Sequence, residues 1–199
     1  MQYRAGQDLP EHVLVTSYRT NDCQGLDLMV LEDPERLEAL KDQTLIFDLG
    51  YYSHARFARL RVAGIHFVTR LNTQARVKVE ADMATQPALP SISPGRIEVI
   101  SDQRVTVGSA ENKKGAVLPG LRLVRATVQP SAASARSGGQ AVTYELLTDR
   151  WDLTAAEVTQ GYLWRWQIEL FFRWLKSHLH LPKLLGYSRN AVTVHTRGP

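Results

Sequence analysis

Residues 154–182 read TAAEVTQGYLWRWQIELFFRWLKSHLHLP, and the rest of the chain is understood from this run. Thr154 followed three residues later by Glu157 is a capping box, which satisfies two of the N–H groups orphaned in a first helical turn. Leu153 and Val158 stand where a hydrophobic staple would stand, and Pro182 stops the run. At ~1.5 Å per residue the predicted helix is roughly 40 Å long. Leu163, Trp164, Trp166, Ile168, Leu170, Phe171, Phe172, Trp174, Leu175 and Leu179 spread over most of its circumference. A helix apolar almost all round is expected to be buried. One sector is left for Tyr162, Arg165, Glu169, Arg173 and Lys176, whose spacing keeps them within roughly 80° of one another. Such a stripe is expected to face a cleft or a partner. It admits two readings: a structural ion pair of Glu169 with Arg165 or Arg173, or a metal-binding acid beside phosphate-binding bases.

Tyr162, two residues, Arg165, three residues, Glu169, six residues and Lys176 together resemble the Tyr-Arg-Glu-Lys signature of bacterial insertion-sequence transposases of the insertion-sequence-four type. The apolar positions around it, Tyr-Leu-Trp-Arg-Trp-Gln-Ile-Glu-Leu-Phe-Phe-Arg-Trp-Leu-Lys, are similar as well. The resemblance implies an α/β fold: an RNase H-like mixed-sheet core with a β-rich insertion between the second Asp and the Glu. It also implies an Asp-Asp-Glu triad that holds two divalent metal ions, Mg²⁺ or Mn²⁺, with Glu169 as its third acid.

Upstream, Thr44-Leu-Ile-Phe-Asp48-Leu-Gly50 reads as a strand buried on both faces. Ser53 can cap a helix over His54 to Ala63 that Gly64 ends, and Ile65 to Leu71 is the next strand. A strand–helix–strand unit predicts parallel pairing and puts Asp48 at a carboxyl end, where sites of open α/β sheets form. Read alone, Asp48 can cap the turn before Gly50. The segment Asp48-Leu-Gly50-Tyr51-Tyr52-Ser53 resembles the family's motif around its second acid, with Leu49 where many members carry Arg, and Gly64 to Leu71 is also similar.

Nearer the start, HVLVTS at His12 to Ser17 predicts a strand, Leu26 to Leu31 a short strand, and Asp33-Pro34-Glu35 a capped helix to about Leu40. Between residues 72 and 147 the predicted strands are Arg76–Glu80, Arg96–Ser101, Arg104–Val107, Leu121–Val128 and Ala141–Leu147, the last belonging to the core sheet. Thr85 to Gly95 and Ser131 to Gln140 read as loops. Lys113, Lys114, Arg122 and Arg125 can touch phosphates or form a solvated face. By the resemblance, residues 1–71 and 141–192 form the catalytic core, 72–140 the insertion and 193–199 a divergent tail.

At 199 residues with 44% hydrophobic residues, the chain can bury a sizeable core. Its net charge of +4 permits a polyanionic partner. A single cysteine, Cys23, excludes an internal disulfide and any Cys-rich zinc site. His178 and His180, two apart on a helix, are poor metal candidates. No apolar run approaches the ~18 residues of a membrane span, and the N-terminus has no signal core, so a cytoplasmic protein is expected.

The resemblance implies DNA partners, transposon ends and target, with a homodimer in a synaptic complex. Asp48 and Glu169 would be catalytic metal ligands, and Tyr162, Arg165, Arg173 and Lys176 would grip the DNA backbone. The first acid has no counterpart: Asp8, Asp22, Asp27, Asp33 and Asp42 read as turn, loop, cap or surface. The resemblance runs from about residue 8 to 192, and the expectation is a truncated transposase with weak or no strand transfer by itself. Two alternatives are a non-catalytic DNA-binding remnant and an unrelated α/β module in which Glu169 only pairs with Arg165.

Overall fold

The computed structural model describes residues 2–3, 10–12, 22–84, 96–108, 116–166, 169–170, 173–174 and 177. Strands β1 (Gln2–Tyr3) and β2 (Pro10–His12) form a small antiparallel pair. The strand predicted from His12 to Ser17 lies mostly outside the described residues, as do the predicted loop at 85–95, Lys113, Lys114, Lys176, His178, His180 and Pro182.

Helix α1 (Asp22–Leu26) runs into a π-helical turn, Asp27–Leu31. The short strand expected over Leu26 to Leu31 is therefore corrected to helix. A brief apolar run has no periodicity of its own to tell the two apart. Here Val30 and Leu31 both turn into the core, and Asp27 reaches Arg56. Helix α2 (Pro34–Ala39) starts as predicted, with the Asp33 carboxylate accepting from the Glu35 and Arg36 backbone N–H groups.

Strand β3 (Thr44–Phe47), helix α3 (His54–Val62) and strand β4 (His66–Arg70) form the expected unit, with β3 and β4 parallel. Ser53 caps α3, and Gly64 takes a φ of 72° just past its end, a conformation that costs glycine little. Strands β5 (Val77–Asp82), β6 (Ile97–Val107) and β7 (Leu118–Val128) follow; the two predicted strands at 96–101 and 104–107 are one, with irregular register at Val99/Ser101 and Val105/Val107. The stretch Ser131 to Gln140, predicted as loop, holds a short helix, α4 (Ala132–Arg136). Alanines with high helix propensity follow a Ser131 cap that accepts from the Ser134 N–H. Strand β8 (Val142–Thr148) then leads to helix α5 (Ala155–Trp164).

Six strands make one mixed sheet in the order β3-β4-β8-β7-β6-β5. Residues 72–140 thus supply three strands to the same sheet that carries β3, β4 and β8. Alternation along each strand divides the core in two. Phe47, Phe67, Leu121, Leu123 and Leu147 point to the side of Val30, Phe57 and Leu60, where Phe57 stacks on Phe67 with ring centroids 4.4 Å apart. Val68, Val124, Ala126 and Leu146 point to the other side, where Ala155, Val158 and Tyr162 of α5 cover them.

The entry to α5 is fixed by a buried ion pair. Arg122 of β7 binds Asp102 of β6 through two bonds, at 2.8 and 2.6 Å, and donates to the Arg150 and Leu153 carbonyls. Arg122 was a candidate phosphate contact; at 5% exposure with its donors satisfied internally, it holds the fold instead. Arg125 is ion-paired with Glu145. The capping box at Thr154 and Glu157 is present in both halves.

The expectation of a helix buried all round is corrected. Trp164, Trp166, Leu170 and Trp174 are 42%, 49%, 45% and 51% exposed. The sheet covers only the side of α5 that carries Ala155, Val158, Thr159 and Tyr162, because a helix can lay just one face on a sheet. Among the described residues, no helix is long and apolar enough to cross a membrane.

Candidate functional site

The period of two along the strands selects the residues that meet at one end of the sheet. Ile46 and Val68 point toward α5, so Asp48 and Arg70, two residues further on, are set to the same side at the carboxyl ends of β3 and β4. Strand β8 runs antiparallel to β4, so Tyr144, two residues before Leu146, lies beside Arg70. The Arg70 guanidinium stands over the Tyr144 ring, 5.7 Å from its centroid. Helix α5 begins near the opposite end, lies across β6, β7, β8 and β4, and approaches β3 at Gly161. A Cβ at Gly161 would lie 3.9 Å from Ile46 Cδ1. The next turn therefore delivers Tyr162 and Arg165 to the same end as Asp48.

Asp48 divides its two oxygens. Oδ1 accepts from the Leu49 N–H at 2.8 Å and caps the 3₁₀ turn Leu49–Tyr51, while Oδ2 lies 3.6 Å from Arg165 Nη1. The same Nη1 donates to Glu169 Oε1 at 2.8 Å. Both Asp48 and Glu169 thus touch one nitrogen, and their oxygens are no farther apart than those two contacts laid end to end. The ion pair of Glu169 with Arg165, one of the two readings of the sequence, is present, and Asp48 lies beside it. The Asp48 and Glu169 side chains are 50% and 40% exposed, so ions reach them from solvent, while Arg165 is 20% exposed.

Tyr162 sits beneath Arg165, at 3% exposure, with the guanidinium 5.5 Å from its ring centroid and the Tyr144 ring 5.7 Å away. Burial pushes its hydroxyl above the usual phenol range, and the Asp48 charge adds to this against the opposing Arg165 and Arg70. The Tyr162 hydroxyl and Arg165 Nε are buried without a well-formed hydrogen bond, although the hydroxyl lies near enough to the guanidinium to feel it. Burial alone would lower Arg165, but its bond to Glu169 and the surrounding negative charge hold it above its ordinary value. Arg173 is exposed and stands over Trp166, 5.8 Å from the ring centroid.

Arg70 and Tyr144 escaped the reading of the sequence as site residues. Both lie two positions from a core residue on the α5 side, but that signal exists only once the β4–β8 register is known. The loop after Asp48 is also held in a way the sequence did not declare. Arg56, 6% exposed, binds both Asp27 oxygens and donates to the Tyr51 and Cys23 carbonyls, and Cys23 Sγ donates to the Gly50 carbonyl. Asp27, expected in a loop or on the surface, is corrected to this ion pair.

Two carboxylates gathered on one cationic nitrogen are hard oxygen donors, which suit a divalent ion such as Mg²⁺ or Mn²⁺ that keeps several waters. Among the described residues, no group of three or more His, Cys, Asp or Glu side chains stands together as a metal site. The donors therefore fit part of an ion's coordination shell.

The family model described as "Transposase DDE domain" matches residues 1–197. The chain is 31% identical over 190 residues to "Putative transposase y4zB" of Sinorhizobium fredii, covering 96% of this chain and 47% of that protein. It is 38% identical over 47 residues to "Probable transposase for insertion sequence element IS5377" of Geobacillus stearothermophilus, covering 24% of this chain and 12% of that one. The chain thus spans about half the length of the first of these relatives or less. No solved structure gives a significant match. With an α/β fold, a six-stranded mixed sheet and a family match along nearly its whole length, this chain belongs to the transposase DDE domain family of insertion sequences.

Proposed function

We propose that these residues form part of the catalytic region of a transposase that binds DNA at transposon ends and takes part in metal-dependent phosphodiester cleavage and strand transfer. The observation that carries this reading is the meeting of Asp48 and Glu169 at Arg165 Nη1. Asp48 and Glu169 are two of the three acids, in an RNase H-like core of residues 1–71 and 141–192 with 72–140 inserted. Asp48 and Glu169 would hold a divalent ion, Mg²⁺ or Mn²⁺, which when bound would supply charge stabilisation at the phosphoryl oxygens and a more nucleophilic attacking oxygen.

The chain's own residues do the rest. Arg165, Arg70 and Arg173 supply guanidinium donors in the planar fork that matches phosphate oxygens, and Lys176 adds a point charge. These contacts position the backbone and read no sequence. Tyr162 acts through Arg165: its ring floors the guanidinium and limits where the fork can point. Arg56 holds the Gly50–Tyr51 turn from behind and so fixes the backbone from which Asp48 projects. In the whole transposase the two transposon ends are held by a homodimer in a synaptic complex.

A second reading, a DNA-binding segment that does not cut by itself, is favoured by one observation: two acids rather than three stand together among the described residues. The unrelated α/β module considered from sequence is set aside by the family match. Salt-dependent binding to a transposon-end duplex tests the DNA reading, because neutralised phosphates release counterions. Incubating the 199-residue chain with Mn²⁺ and that duplex separates the two readings. The expected result is binding with weak or no cleavage, and cleavage that Glu169→Ala abolishes overturns the expectation of inactivity.

A further inference from the structure

We propose that Arg165 is a placeholder cation, which keeps Asp48 and Glu169 paired until a DNA phosphate draws it away, so that phosphate and divalent ion bind cooperatively. The inference rests on the reading that Asp48 and Glu169 hold a divalent ion.

Three observations carry it. First, the Arg165 Nη1 atom stands where a shared cation would stand, in contact with one oxygen of each acid. A divalent ion and the guanidinium compete for the same oxygens. Second, the seat is incomplete. Arg165 Nε is buried without a good hydrogen bond, a cost that a stronger acceptor for the guanidinium would relieve. A phosphate, with several acceptor oxygens, is such an acceptor. Third, a divalent ion that replaces the guanidinium at the two acids adds positive charge beside Arg165 and the nearby Arg70, which favours a phosphate there, and linkage requires the assistance to be reciprocal. The phosphate takes the fork, and the carboxylates are left for the ion.

The consequence is that DNA loads the site with metal. Without DNA the guanidinium neutralises part of the acid pair and weakens ion binding, so hydrolytic chemistry waits for substrate.

Mn²⁺ binding, measured by the loss of the free-ion electron paramagnetic resonance signal, tests this on the full 199-residue chain. The expected result is that Arg165→Met binds Mn²⁺ on the order of tenfold more tightly than the wild type without DNA, within the usual range of coupling between sites. A short duplex should raise the wild-type affinity by a similar factor, after subtraction of Mn²⁺ held by the duplex alone, and should leave Arg165→Met unmoved. Arg165→Lys keeps the charge without the fork, and its affinity should fall between the two; it also serves where Arg165→Met fails to fold by circular dichroism. If Asp48→Asn/Glu169→Gln loses Mn²⁺ binding but the wild type shows no coupling to duplex, or Arg165→Met binds no more tightly, the placeholder is refuted while the acid pair stands. If the double carboxylate variant binds Mn²⁺ as the wild type does, the acid pair itself is refuted, and the placeholder with it.

Discussion

Asp48, closing a strand in the first quarter of the chain, and Glu169, beyond the described turns of α5, meet at one nitrogen of Arg165, at 3.6 and 2.8 Å. Both acids are substantially exposed, so this arrangement contributes little to stability. Asp48→Asn is therefore expected to change the unfolding free energy by less than about 1 kcal/mol, as ion pairs open to solvent do. Mn²⁺ affinity should nevertheless fall by an order of magnitude or more, in line with the loss of one of few carboxylate ligands. Urea denaturation and Mn²⁺ titration on the same preparation separate the two effects; a large loss of stability with unchanged Mn²⁺ binding would make Asp48 a turn cap alone.

Arg70 is expected to act on DNA through its charge. Arg70→Gln should weaken binding to all duplexes by a similar factor and make the dependence of log affinity on log salt shallower by roughly one unit, the mark of one lost phosphate contact. Fluorescence anisotropy across a salt series gives both quantities. An unchanged slope would mean that Arg70 serves Tyr144 and the sheet instead.

The buried Arg122–Asp102 pair ties β6 and β7 to the start of α5. Asp102→Ala leaves the Arg122 guanidinium without its counter-charge in the interior. Losses of this kind cost roughly 3–5 kcal/mol. Denaturation should show that drop in the midpoint, and a loss below about 1 kcal/mol, the level of a surface pair, would mean that water reaches the guanidinium.

The capping box gives a pH-dependent term with a definite sign. Bonds from the Thr154 backbone N–H, first, and the Thr154 hydroxyl hold the Glu157 carboxyl below its ordinary value of 4.5. The folded state thus favours the carboxylate. Its contribution is complete above pH 4.5 and is lost as pH falls through the lowered folded value. Glu157→Gln should be less stable than the wild type at pH 7, and the gap should close in acid below that lowered value. Thermal melts of both proteins between pH 7 and strongly acidic buffer check this; a constant gap would assign the cost to lost geometry, not charge.

Gly108 holds a φ of 105°, and a Cβ there would come within 2.6 Å of the Ala116 carbonyl oxygen. Gly108→Ala is expected to cost about 1–3 kcal/mol through backbone strain, with the contact added to it. The midpoint of chemical denaturation measures it, and a neutral result would show that the β6–β7 connection relaxes freely.

How much was legible in the sequence follows the range of the forces involved. The caps at Asp33, Ser53 and Thr154, the end of α3 at Gly64 and the parallel β3–α3–β4 unit were all readable, because a cap or a turn is decided within four residues. Leu26 to Leu31 and Ser131 to Gln140 misled for the same reason: where local preferences are weak, packing of Val30 and Leu31 or a single serine cap decides.

The sequence by itself determined that Tyr162, Arg165, Glu169 and Arg173 lie near one another along a helix, and that Asp48 ends a strand. Only the tertiary structure decided that these two acids share a cation, that Tyr162 is a floor beneath Arg165, that Arg70 and Tyr144 join them, and that Trp166 and Trp174 are exposed. The physical reason is that side-chain periodicity is set by each element's own backbone hydrogen bonds. Which elements become neighbours is set by long-range pairing, above all the antiparallel β4–β8 ladder that turns α5 back toward Asp48.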